Sequence, residues 1–261
     1  MCRFLAYEGE PILLETLVTA PCHSLIHQSM HAAEGKTETN GDGFGVGWYG
    51  ERDTPGLYRD VRPAWSDENL RSIASQVRSR LFFAHVRAAT GTSTSRANCH
   101  PFSHGKFLFM HNGQIGGWSQ MRRRVEGMIP DALYAARTGT TDSEAIFLAA
   151  LGHGLEHDPV AAMRTTFATI SGMMEEAGIT DALRFTATLT DGETLWAFRW
   201  STDLRPPSLY FKPMPGGLLL VSEPIDGVRG NWQSVPHGGT LIARRGGAIE
   251  LLGTAEHAHA A

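Results

Sequence analysis

The chain has 261 residues, of which 42% are hydrophobic and 19% charged, and 23 Lys+Arg against 27 Asp+Glu leave it at −4. That composition excludes wholesale disorder, and without an overall positive field nothing draws the protein onto nucleic acid or anionic lipid. Cys2, Cys22 and Cys99 form no CxxC pair, so neither a disulfide framework nor a structural zinc site is expected, and a reducing cytoplasm fits best.

At the start of the chain, removal of Met1 would make Cys2 the N-terminal residue, with a nucleophilic thiol and a free amine on one carbon. The opening MCRFLAYEGE lacks the basic segment and long apolar core of a targeting sequence. Apolar runs such as Ala145–Leu151 and Gly217–Val221 are too short to span a bilayer. Gly43–Gly50 (GFGVGWYG) is expected to be a strand whose glycines admit another backbone. Ser66, followed by Asp67, Glu68 and the apolar set Leu70, Ile73, Ala74 and Val77, predicts a capped helix. Arg80–Arg87 (RLFFAHVR) and Lys106–His111 (KFLFMH) are β-prone runs ending in polar residues. Between this point and the next element, the basic run Arg122, Arg123, Arg124 is read as a solvated helix face.

Thr141-Asp142-Ser143-Glu144 has the T-x-x-E form of a capping box and predicts a helix starting near Thr141 and running into Ala145–Leu151. A second helix is expected over Asp158–Ala177, where Val160, Met163, Phe167, Ile170 and Met174 form a core stripe. Strands follow at Leu183–Thr190, Glu193–Trp200, Ser208–Lys212, Gly217–Ser222, Thr240–Arg244 and Ala248–Leu252. Asp191-Gly192 and Gly246-Gly247 supply hairpin turns. Helices followed by an antiparallel meander argue for an α+β architecture with sheets between helices.

The polar clusters at the ends of these elements can meet the demands of attack on a glutamine-like amide. An amino acid headgroup needs a cation for its carboxylate, which Arg87 offers as a bidentate fork, and an anion for its ammonium, which Asp142 offers. The tetrahedral intermediate needs donors, and the Asn112 side chain and Gly113 backbone N–H are suitable. A rival grouping of His85, His100, His104 and His111 as metal ligands matches no familiar spacing, so no metal or other cofactor is expected.

The segments MCRFLAY, NGDGFGVGWYG, FAHVRAATGTS, NCHPF, FMHNGQI, TDSEAIF and VSEPI, with Trp232 and VPHGGTL beyond, occur in this order over nearly the whole chain. Together they resemble a class II glutamine amidotransferase domain of the N-terminal nucleophile (Ntn) hydrolase superfamily, and most of all its stand-alone members, whose relatives include the ergothioneine-pathway γ-glutamyl hydrolase. The resemblance implies a four-layer αββα sandwich of two antiparallel sheets, a domain over residues 2–253 and a flexible tail over 254–261. It also implies that Cys2 is the nucleophile and its freed amine the base, that Asn112 and Gly113 form the oxyanion hole, and that Arg87 and Asp142 hold the substrate's carboxylate and ammonium. Thr90 and His100 are implied as pocket residues, and His85 and His111 as supports beside functional residues. Relatives commonly carry Trp after the pocket arginine; Ala88 stands here, making a smaller wall and a looser preference for glutamine.

The expected partner is a small molecule, glutamine or a γ-glutamyl amide. With no acceptor domain expected in the chain, a separate synthase subunit would be needed if ammonia is transferred. The alternatives are a dedicated γ-glutamyl amide hydrolase that releases its amine to solvent, and a non-catalytic binding module that keeps the fold.

Overall fold

The computed structural model describes residues 2–34, 38–89, 91, 93–214 and 216–253. The 254–261 tail, and Thr90 among the expected pocket residues, lie outside them. Among the described residues the strands form two antiparallel sheets. The first has seven strands: β1 (Arg3–Leu13), β2 (Phe44–Trp48), β3 (Gly56–Asp60), β4 (Arg78–Val86), β9 (Tyr210–Met214), β10 (Gly217–Val221) and β11 (Gln233–Ser234), in the order β11-β9-β10-β1-β4-β2-β3. The second has six: β5 (Phe102–His104), β6 (Phe107–Gln114), β7 (Arg184–Thr190), β8 (Thr194–Ser201), β12 (Gly239–Arg244) and β13 (Ala248–Leu252), in the order β13-β12-β8-β7-β6-β5.

Helices cover the outer faces. Against the first sheet lie α1 (Glu15–Val18), α2 (Leu25–Met30) and α3 (Glu68–Gln76), which bury Leu17, Leu25, Ile26, Leu70 and Ala74 over Leu5, Tyr7 and Phe82. The second sheet carries α4 (Trp118–Glu126), α6 (Asp142–Gly152) and α7 (Pro159–Glu176), with the short α5 (Asp131–Tyr134) packed beside α6. The result is the expected four-layer αββα sandwich of two antiparallel sheets.

The third core lies between the sheets, and the strand period of two decides who faces it. Phe4 and Ala6 of β1, Leu81 and Phe83 of β4, Leu218 and Leu220 of β10, and Leu108 and Met110 of β6 all point into this layer. Their odd- or even-numbered neighbours point outward into the helical layers.

Most predicted elements appear within a residue or two of their expected ends, and Asp158 caps α7 by accepting from Val160 and Ala161 N–H. At the α3 N-terminus the cap is Asp67, whose carboxylate accepts from Leu70 N–H at 2.6 Å, and Ser66 belongs to the preceding turn. Thr141 caps α6 as expected, accepting from Glu144 N–H, but Glu144 reaches further back than a capping box requires. Its carboxylate accepts from Thr138 N–H (3.0 Å) and Gly139 N–H (2.7 Å) and pairs with Arg137, pinning the loop that enters α6. Arg122 and Arg124 lie on the exposed side of α4, paired with Glu126 and Glu176. No helix is long and apolar enough to cross a membrane among the described residues.

Candidate active site

Continuing each inter-sheet stripe by one or two steps toward the same end turns it from apolar to polar. Phe4 leads to Cys2, Leu81 and Phe83 lead to His85 and Arg87, and Leu108 and Met110 lead to Asn112. Here the two sheets part around a cavity of about 250 Å³. Cys2, Arg87, His100, Asn112, Gly113 and Asp142, all expected from sequence, line it.

The Cys2 sulfur accepts from Ala88 N–H at 3.3 Å, and the Cys2 carbonyl accepts from Asn112 Nδ2 at 2.8 Å. The second N–H of that carboxamide remains for another acceptor. Gly113 follows at φ +152°, and a Cβ there would run into the Arg184 carbonyl of β7, so this backbone requires glycine. Beside Cys2, Arg3 pairs at 3.4 Å with the buried Glu223 of the VSEPI segment. Burial alone would raise the Glu223 carboxyl, but donors from His23, Ala33 and Glu34, with the Arg3 charge, hold it below its usual range.

Arg87 is buried, its guanidinium donating to the carbonyls of Asp42 and Ser93 at 3.3 Å each. Asp42 also clasps the backbone beyond it, its carboxylate accepting from Ala89 N–H at 2.7 Å. Asn98 fastens the other side, donating to the Ser93 carbonyl and Thr140 Oγ1 and accepting from Thr140 N–H. Glycines of β2 bring the NCHPF segment close: a Cβ on Gly45 would strike the His100 carbonyl, and one on Gly47 would press on Pro101 and Leu108. This is the backbone approach expected of GFGVGWYG. Asp142, the first residue of α6, accepts from Ile115 N–H (2.9 Å) and Ser143 N–H (2.8 Å), which couples the helix start to the end of β6.

A model of class II glutamine amidotransferases matches residues 1–206. The chain belongs to that family. It is 33% identical to the probable glutamine amidotransferase DUG3 of Saccharomyces cerevisiae over 94% of this chain and 82% of the relative. To the γ-glutamyl-hercynylcysteine sulfoxide hydrolase of Mycolicibacterium smegmatis it is 30% identical, over 90% of this chain and 92% of the relative. A solved glutamine aminotransferase class-II domain protein from Silicibacter pomeroyi superposes with a TM-score of 0.78 at 39% identity, covering 97% of this chain and all of that one.

Burial disfavours the charged form of the buried histidines His85, His100 and His111. Burial, with the nearby Arg87 and Arg3 charges, lowers His85 to about 3, and burial beside His85 and His111 holds His100 well below its usual value. Burial also lowers His111, against the opposing pull of Asp142. His111 Nε2 lies 3.2 Å from the Arg184 carbonyl, which can only accept, so Nε2 carries the proton and Nδ1 accepts from Ser143 Oγ at 2.9 Å.

Sequence reasoning missed Trp118, Ser143 and Asp42. Trp118 lines the cavity and donates through Nε1 to the Thr140 carbonyl at 3.3 Å; as a lone aromatic after Gly116-Gly117 it carries no periodic signal. Ser143 sits inside the quoted TDSEAIF segment and Asp42 inside NGDGFGVGWYG, so both were within reach of the motifs.

Proposed function

We propose that this protein is an N-terminal-cysteine amidohydrolase that cleaves the γ-amide of glutamine or of a γ-glutamyl compound through a γ-glutamyl thioester. The observation that carries the reading is the convergence of a thiol, two oxyanion donors, a buried cation and a carboxylate on one cavity. With Met1 removed, the Cys2 amine takes the thiol proton as sulfur attacks the amide carbon. The C=O bond becomes an oxyanion held by the Asn112 side chain and Gly113 N–H, each donor being typically worth about 10²–10³ in rate. Collapse breaks the C–N bond, the amine passes the proton to the departing nitrogen, and water then cleaves the thioester to release the γ-carboxylate and regenerate the thiol. Arg87 would hold the substrate carboxylate, Asp142 its ammonium, and His100 and Thr90 the pocket around them. The catalytic unit on this reading spans residues 2–253, and a separate chain would supply any acceptor site for ammonia.

Two observations favour a γ-glutamyl amide with a bulkier leaving group over glutamine. Ala88 lines the cavity beside Cys2 as a single methyl, and the Mycolicibacterium relative is named for hydrolysis of a γ-glutamyl compound. Purified protein should be offered glutamine and a series of γ-glutamyl amides while glutamate and free amine are measured. Turnover of the bulky amides well above glutamine is expected; the reverse order would return the assignment to a glutaminase.

Arg87→Lys is expected to raise KM by about 10- to 100-fold with kcat changed far less. A point charge replaces a planar fork, and a charged hydrogen bond is worth about 1.5–3 kcal/mol. Steady-state kinetics with unaltered KM would remove Arg87 from substrate binding.

A further inference from the structure

We propose that His85 is a positioning residue that donates a ring N–H to Asn112 Oδ1 and so keeps the Asn112 NH₂ turned toward Cys2 and the cavity. The inference rests on the amidohydrolase reading, which gives that NH₂ its task. His85 projects from β4 and Asn112 from β6 into the same inter-sheet layer, and both are about 1% exposed. Asn112 Oδ1 is buried without a hydrogen-bond partner, and so are both ring nitrogens of His85. The strands that carry them, β4 and β6, are in contact across this layer, and the carboxamide favours protonation of the ring. A buried donor and a buried acceptor are each costly to leave unmet, and one hydrogen bond between them satisfies both. A neutral imidazole has one N–H to give, and a carboxamide oxygen can only accept.

The pairing matters because the oxygen and nitrogen of an asparagine amide are nearly interchangeable in shape. Flipped, Asn112 would aim lone pairs at a developing oxyanion. The Cys2 carbonyl already holds one N–H at 2.8 Å; a donor on Oδ1 fixes the other end. The His100 ring packs tilted against His85 with centroids 4.3 Å apart and is itself braced edge-on by Phe102 at 4.6 Å, so the His85 ring has a wall to rest on.

The test uses a γ-glutamyl amide that the wild type hydrolyses. His85→Phe should lower kcat by about 10², the scale of one oxyanion donor, with KM within about twofold. His85→Gln, which offers an N–H to the same oxygen, should recover about tenfold of that loss. In an Asn112→Ala background His85→Phe should cost nothing further, since residues acting as a unit are non-additive. Multiplicative losses in the double variant, a selective rise in KM, or an unchanged kcat would overturn the proposal.

A second readout does not depend on activity or on the folding of His85→Phe. In protein labelled with ¹⁵N-histidine, the His85 ring resonance, assigned by its loss in His85→Gln, should move in Asn112→Ala; an unmoved resonance refutes the hydrogen bond. A coupled resonance in a protein inert toward all γ-glutamyl amides would instead sink the amidohydrolase reading and the positioning role with it, while leaving the bond itself standing.

Discussion

Cys2→Ala is expected to abolish amide hydrolysis, with a loss of at least about 10⁴-fold, the order seen when a covalent nucleophile is removed. The Cys2 sulfur borders the cavity, held by Ala88 N–H, whereas Cys99 is buried against Gly43 and Cys22 lies beside the Asp226 carbonyl. Neither can take over. The substitution removes one partly exposed atom at the edge of the inter-sheet core, so the thermal midpoint should stay within a few degrees of wild type and the loss can be assigned to chemistry. Cys2→Ser should retain a trace of activity because the same amine still faces a weaker nucleophile. The mechanism makes a coupled demand on the active protein: its intact mass must lack Met1. A species that keeps Met1 and turns over at the full rate would end the N-terminal mechanism, because its amine would be tied up in a peptide bond.

The residues that build this cavity were legible because their roles depend on local chemistry at the ends of regular elements. Arg87 follows a β-prone run that becomes β4, Asn112 and Gly113 close β6, and Asp142 follows the Thr141 cap of α6. Once strand and helix are placed, period and cap fix where those side chains point. The same logic failed for β1, the strand that delivers Cys2. Arg3 to Glu8 are buried on both faces, between α1–α3 on one side and the second sheet on the other, so no polar alternation marks the segment. Pro11 and the register shift between Glu8 and Ile12 blur its far end as well.

Long-range pairing is the other thing no local pattern encodes. Asp42 reaches the Ala89 backbone across 47 residues and Glu223 reaches Arg3 across 220, yet each is an ordinary polar residue in its own neighbourhood. Glu144 shows the intermediate case. The T-x-x-E pattern located the helix start correctly, but the carboxylate serves Thr138, Gly139 and Arg137 because the loop into α6 folds back over it.

Lowering the pH from 7 to 5 should cost the fold about 2 kcal/mol through His85, with His100 and His111 adding in the same sense. His85 is neutral when folded at both pH values, while in the unfolded chain an imidazole titrates near 6.5. Between 6.5 and the depressed folded value the unfolded state therefore binds more protons, and stability rises with pH at about 1.4 kcal/mol per unit for each such group. Over the 1.5 units from 6.5 to 5 that amounts to about 2 kcal/mol for His85, and His100 and His111, also lowered by burial, act with the same sign. Carboxylates with lowered values, such as Glu223, are ionised in both states above about 5 and contribute only below it. Glu8, raised by burial, acts in the opposite sense but with a single proton. Urea unfolding at pH 7, 6 and 5 should show a steadily falling free energy, and His100→Gln should flatten the slope. A stability that holds level from pH 6.5 to 5 would mean that water reaches these rings and that the inter-sheet seam is wetter than its packing implies.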